Sequence, residues 1–168
     1  PMVFLGEQLA VAGQAHRTLV LMGSEVPFPF STGDSAHAVA GMGPAVTAGI
    51  EALEQQGIAT RLASLADFPG VHRGYVTELA ANWLGSLSES ERAEVEMFGC
   101  GPEPMLQATA RVAAEHGVDC QLSLEEYMAC AVGGCAGCTV PVHRDQGVTM
   151  QRVCVDGPVF AARSIYPA

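Results

Sequence analysis

Between residues 1 and 121 the chain alternates two kinds of hydrophobic pattern. Apolar runs at residues 18–23, 58–63, 95–98 and 118–122 read as buried parallel strands. Between them apolar residues recur at helical spacing. Met2, Leu5 and Leu9 follow Pro1, which suits a first helical turn, and predict a helix over residues 1–10. Val46, Ile50 and Leu53 predict a helix from Pro44 to a closing Gly57. Val76, Leu79, Ala80 and Trp83 predict one over residues 74–87, and Leu106, Ala110 and Ala113 one over residues 104–116. Strands alternating with helices predict an α/β fold, an open parallel sheet with helices on both faces.

Two stretches break the alternation. In residues 24–43, Pro27-Phe28-Pro29-Phe30 is excluded from a central strand and Thr32-Gly33-Asp34-Ser35 is turn chemistry. A short strand at His37-Ala38-Val39-Ala40 makes this segment an inserted hairpin. After residue 121 the pattern shortens to antiparallel strands at residues 139–143 and 150–155, a small β-rich unit with little core of its own. The expected division is an α/β domain at residues 1–121 and a cysteine-bearing domain at residues 122–168. The uncapped helix start at Pro1 reads as part of a longer chain.

Composition narrows the function. With 168 residues, 49% hydrophobic and 15% charged, the chain is expected to be globular. Its net charge of −10 disfavours nucleic acid and anionic membrane surfaces as partners. Every apolar run is too short or interrupted to span a bilayer, and the first cation is Arg17, so the expected location is the cytoplasm. Lysine is absent, which excludes a Walker A lysine, a Schiff-base lysine and a pyridoxal-phosphate anchor.

Cys130, Cys135, Cys138 and Cys154 follow C-x4-C-x2-C-x15-C. This uneven spacing is the plant-type arrangement for a [2Fe–2S] cluster, in which each iron takes two thiolates. Ala131, Gly133, Gly134, Ala136 and Gly137 are small enough for close wrapping, and glycine reaches the positive φ that turns amides toward anionic sulfur. Structural zinc, which prefers paired C-x2-C or Cys/His knuckles, and a disulfide framework are the alternatives.

The remaining motifs are weaker. Gly99-Cys100-Gly101-Pro102-Glu103 lies where a strand hands over to a helix, the ligand end of an open α/β sheet. Two glycines admit a planar ring and Cys100 can touch it; a tight turn with a buried thiol is the plainer reading. Gly41-Met42-Gly43 is an incomplete dinucleotide fingerprint, because Val46 stands where the third glycine belongs. Gly33-Asp34-Ser35 has the look of an esterase nucleophile turn, but no Asp-x-x-His partner stands near the C-terminus, so it reads as a turn, and Cys120 reads as a small core residue.

Four segments together carry a resemblance: Cys100-Gly101-Pro102-Glu103-Pro104-Met105, Ser123-Leu124-Glu125-Glu126-Tyr127-Met128-Ala129-Cys130 with the cysteine loop, Arg152-Val153-Cys154-Val155-Asp156-Gly157-Pro158-Val159-Phe160, and Gly74-Tyr75-Val76-Thr77-Glu78-Leu79. They resemble the electron-transfer subunit of class 1B dihydroorotate dehydrogenase, of the ferredoxin–NADP reductase superfamily, over residues 58–168 and, less closely, 1–23. The resemblance implies electron transfer in pyrimidine biosynthesis between NAD(H), FAD, a [2Fe–2S] cluster and a partner subunit carrying FMN. It implies Cys130, Cys135, Cys138 and Cys154 as cluster ligands, Gly23, Gly99, Cys100, Gly101, Pro102 and Glu103 as nicotinamide- and flavin-side positions, and Cys100 as the residue nearest the reacting rings. The flavin-binding barrel and the glycine-rich loop before Pro1 are missing from the pattern, so the chain is not expected to be active alone. Two other readings stand beside it: a diaphorase-type subunit of a hydrogenase or ferredoxin:NADP oxidoreductase, and a non-catalytic [2Fe–2S] redox-sensing module.

Overall fold

The computed structural model describes residues 1–167, which fall into two compact units, residues 1–87 and 88–167. In the first, helix α1 (Met2–Val11) leads to strand β1 (Leu19–Gly23), which pairs in parallel with β4 (Ala59–Ser64) in the register Leu19↔Ala59 to Gly23↔Ala63. The two-residue strand β5 (His72–Arg73) extends this sheet beyond β4, and α3 (Val76–Ser86) follows it. Side chains alternate across a strand, so one sheet carries two packing faces. Val20 and Leu62 pack with Ile50, Leu53 and Ile58 beneath α1, where a side chain on Gly6 would meet Leu53, Ile58 and Val20. On the opposite face Gly23 lies against Val76 of α3, which buries Leu79, Ala80 and Leu84. Each fully buried aliphatic side chain contributes about 1.5–3 kcal/mol by leaving water.

The insertion is a hairpin, but of other residues than the sequence pattern indicates. Strand β2 (Thr32–Asp34) pairs antiparallel with β3 (Ala48–Ile50), followed directly by the one-turn helix α2 (Glu51–Glu54). Of the helix expected over residues 44–57 only the turn Glu51–Glu54 forms, and residues 37–40 form a loop instead of a strand. No helix opens at Pro44, so the fingerprint reading of Gly41-Met42-Gly43 fails. Tertiary hydrogen bonds overrule the local periodicity. Thr47 N and Ala48 N donate to Gly70 O at 2.9 and 2.8 Å, and Ile50 N donates to the buried Thr60 Oγ1 at 2.7 Å. Gly49 is required there: a Cβ would stand 2.5 Å from Thr60 Oγ1 and 2.7 Å from Glu54 Oε1.

The second unit begins with α4 (Glu89–Arg92). Strand β6 (Glu96–Cys100) pairs in parallel with β7 (Asp119–Ser123) across the crossover helix α5 (Glu103–His116). That helix buries Leu106, Thr109, Ala110, Val112 and Ala113 and ends at Gly117, whose φ of +67° closes it in the left-handed conformation. Beyond β7 the chain forms the cysteine loop and the hairpin of β8 (Thr139–Arg144) and β9 (Gly147–Arg152). The helical turn α6 (Val153–Asp156), strand β10 (Val159–Ala161) and helical turn α7 (Ala162–Ile165) complete it. Cys154, expected in a strand, sits in α6. Strand β10 returns to pair antiparallel with β7, Phe160 opposite Leu122, which joins the chain after the cysteines to the sheet.

Candidate metal centre

The four cysteines come together as two pairs. Cys138 Sγ lies 3.1 Å from Cys154 Sγ, although the two stand sixteen positions apart in sequence. Cys130 interacts with Cys135 through both its backbone amide and its side chain. Among the described residues no three His, Cys, Asp or Glu side chains form a group placed to hold a metal ion. Two pairs of thiols suit two metals with two protein ligands each.

Local backbone geometry aims donors at the sulfurs. Ala131 and Ala136 hold φ of +56° and +57°, and Gly133 +75°. The left-handed conformation costs an alanine roughly 1–2 kcal/mol, and here it turns successive N–H groups inward as an anion-binding nest. The amides of Val132, Cys135 and Gly134 converge on Cys130, and these contacts bring its thiol down to about 6. Gly137 N donates to Cys135 Sγ at 3.4 Å. The amide and side chain of Cys154 lower Cys138, while the same contact, burial and the charges of Cys138 and Cys130 raise Cys154. Two of the four thiols, Cys130 and Cys138, are thus lowered and the loop is rich in amides, a donor set that fits an iron–sulfur cluster.

Brackets around the loop explain its shape. Val153 N donates to Cys138 O at 3.0 Å and Thr139 Oγ1 to Ala136 O at 3.1 Å, tying both cysteine-bearing segments to the hairpin. Cys138 is buried, whereas Cys135 and Cys154 are exposed and Val132 is 85% exposed. One edge of the centre therefore faces solvent.

Residues 125–166 match the iron–sulfur cluster binding domain of dihydroorotate dehydrogenase B. The chain also resembles the NAD(+)-type electron transfer subunit of dihydroorotate dehydrogenase B from Caldanaerobacter subterraneus, 43% identical over 94 residues, covering 55% of this chain and 35% of the relative. The Listeria welshimeri subunit is 38% identical over 93 residues, 55% of this chain and 33% of its own. The chain spans about a third of the length of these curated relatives. Among solved structures, that of an NADH-dependent reduced ferredoxin–NADP oxidoreductase superposes with a TM-score of 0.52 at 23% identity, over 69% of this chain and 38% of the other. This likeness supports the fold: α/β, with parallel sheet pairing and helices on both faces.

The residues expected on the nicotinamide side fall in different units. Gly23 ends β1 in the first unit; Gly99 and Cys100 end β6 in the second, and Gly101, Pro102 and Glu103 open α5. Gly99 is a packing glycine, since a Cβ would lie 2.8 Å from Leu122 Cδ2, and the Met105 side chain covers Gly101. The first turn of α5 offers little to a phosphate. Pro102 and Pro104 lack N–H groups and Met105 N is bonded to Pro102 O, which leaves Glu103 N. Sequence reasoning missed Arg152, which donates through Nη1 to Gly133 O at 2.8 Å. Its place at the end of β9, two residues before Cys154, was the signal available.

Proposed function

We propose that this chain is an electron-transfer module that binds a [2Fe–2S] cluster through Cys130, Cys135, Cys138 and Cys154. The observation that carries this reading is the grouping of four sulfurs into two pairs, with three amides on Cys130, inside a segment that matches an iron–sulfur domain. A bound cluster of this type supplies one-electron transfer. The chain's own residues supply the rest: amides that favour thiolate over thiol, and a solvent-facing edge formed by Cys135, Cys154 and Val132 at which a redox partner gains access.

By similarity to the relatives named above, the setting is a dihydroorotate-oxidising assembly of pyrimidine biosynthesis, with NAD(H) and FAD on one side and an FMN-containing subunit on the other. Gly23 and the turn at residues 99–103, with Cys100, are assigned to the nicotinamide side, and residues 122–168 to the cluster. Thiolate ligands persist in reducing compartments, which supports a cytoplasmic location. Among the described residues no helix is long and apolar enough to cross a membrane.

The test is anaerobic reconstitution of the chain with iron and sulfide, followed by metal and sulfide assays and electron paramagnetic resonance. Two irons and two sulfides per chain with an S = 1/2 signal on reduction are expected. A colourless chain that takes up zinc alone overturns the reading.

A further inference from the structure

One side chain spans the two segments that carry the cysteines. Arg152 is the last residue of β9, and its Nη1 donates to Gly133 O at 2.8 Å. Its Nε lies 3.6 Å from Asp156 Oδ2, and the same carboxylate oxygen accepts Arg152 N at 2.8 Å. Asp156 thus holds the guanidinium from behind while its front meets the loop. The fit is close, because a Cβ on Gly133 would lie 2.5 Å from Val155 Cγ2 of α6.

The carbonyl that Arg152 holds belongs to the same peptide plane as the Gly134 amide. In a trans peptide the C=O and N–H point in opposite directions. A cation on the Gly133 oxygen therefore both orients and polarises the N–H at the far end of that plane. The Gly134 N–H is one of those that Cys130 Sγ accepts. Hydrogen bonds in series strengthen one another by polarisation, so guanidinium, peptide and sulfur form one chain.

We propose that Arg152 is the positioning residue of the cysteine loop: it fixes and polarises the Gly133–Gly134 peptide so that the Gly134 amide stays on Cys130 Sγ, and it ties that peptide to the turn bearing Cys154. The inference rests on the reading of these cysteines as cluster ligands. Amide donors to ligand sulfur and nearby positive charge both favour the reduced, more negative centre. Arg152 therefore raises the reduction potential of the bound cluster.

The experiment uses the full chain reconstituted as above, with parent, Arg152→Lys and Arg152→Met compared by iron and sulfide content, far-UV circular dichroism and a redox titration followed by paramagnetic resonance. In Arg152→Met the one-electron reduction equilibrium is expected to shift about tenfold toward the oxidised form, 59 mV for a one-electron couple. Arg152→Lys keeps the charge without the rigid fork, so its shift is expected to be smaller. A parent that takes up no iron defeats the proposed function itself. A loaded parent with both variants at its midpoint overturns the role of Arg152 alone. Should Arg152→Met fail to fold or to load, Arg152→Lys decides by the same titration, a parental midpoint counting against the inference.

Discussion

At the scale of single residues, sulfur chemistry separates the cysteines. Cys120, on β7, is buried, and that burial pushes its thiol up to about 11 from the ordinary 9.0. Two units of pKa lower the thiolate fraction near neutral pH about 100-fold. Cys120 is therefore expected to react with iodoacetamide at least that much more slowly in the folded chain than in urea, a difference that mass-spectrometric peptide counting reads directly. Its serine variant should keep its iron. Cys154→Ser should lose most of it, because Cys154 is the sole cysteine that the α6 turn brings to Cys138. Equal iron in both variants would remove Cys154 from the ligand set. The left-handed alanines yield a second contrast: Ala136→Gly should be tolerated within about 1 kcal/mol, whereas a β-branched Ala136→Val should impair loading, since such residues resist positive φ.

At the scale of elements, the β2–β3 hairpin is attached to β4 by polar groups buried between them. Thr60 Oγ1 accepts Ile50 N at 2.7 Å and donates to Glu54 Oε1 at 2.7 Å, and Thr60 N donates to the same oxygen at 2.8 Å. Thr60→Val leaves a buried amide and a carboxylate short of partners, a loss of about 1–3 kcal/mol that a urea midpoint should show. The same carboxylate accepts Ser35 Oγ at 2.8 Å, while Arg61 Nη2 donates to His37 O at 2.5 Å, so the loop before β3 is anchored too. Burial lowers the Arg61 guanidinium, and the nearby Glu54 charge partly restores it. At α4 the pH dependence has a definite sign. Ser88 Oγ and Ser88 N both donate to Glu91 Oε2, which holds the carboxyl below its ordinary 4.5. A lowered folded pKa stabilises above the unfolded value and is lost as pH falls through the folded one. The stability difference between parent and Glu91→Gln should thus be constant above about pH 5.5 and shrink in acid; a difference independent of pH would remove the capping account.

At the scale of the whole molecule, the two units differ in what supports them. The first has a contiguous apolar core around Ile50, Leu53, Ile58 and Leu62. In the second, β10 docks on β7, but the cysteine loop relies on backbone contacts, on Arg152 and on whatever its sulfurs bind. Metal binding and local folding are coupled in such a loop. Removal of iron from the reconstituted chain is therefore expected to raise amide exchange within residues 129–138 and 152–156 while leaving residues 58–64 protected. Equal change in both stretches would mean that the centre supports the whole chain and not the loop alone.

The sequence by itself determined the strands of the α/β pattern, the helices at residues 76–86 and 103–116 to within two residues, and the four cysteines, because apolar periodicity and ligand spacing are local quantities written directly in residue order. Tertiary structure decided the rest. Residues 44–57 carry an apolar spacing that a helix satisfies, but the carbonyl of Gly70 and the hydroxyl of Thr60 claim their amides, so β3 forms instead. The pairing of Cys138 with Cys154, the convergence of amides on Cys130 and the reach of Arg152 to Gly133 each depend on backbone directions set by positive φ and by strand return. Spacing singles out the four cysteines; the direction of each N–H and each sulfur is a property of the folded backbone.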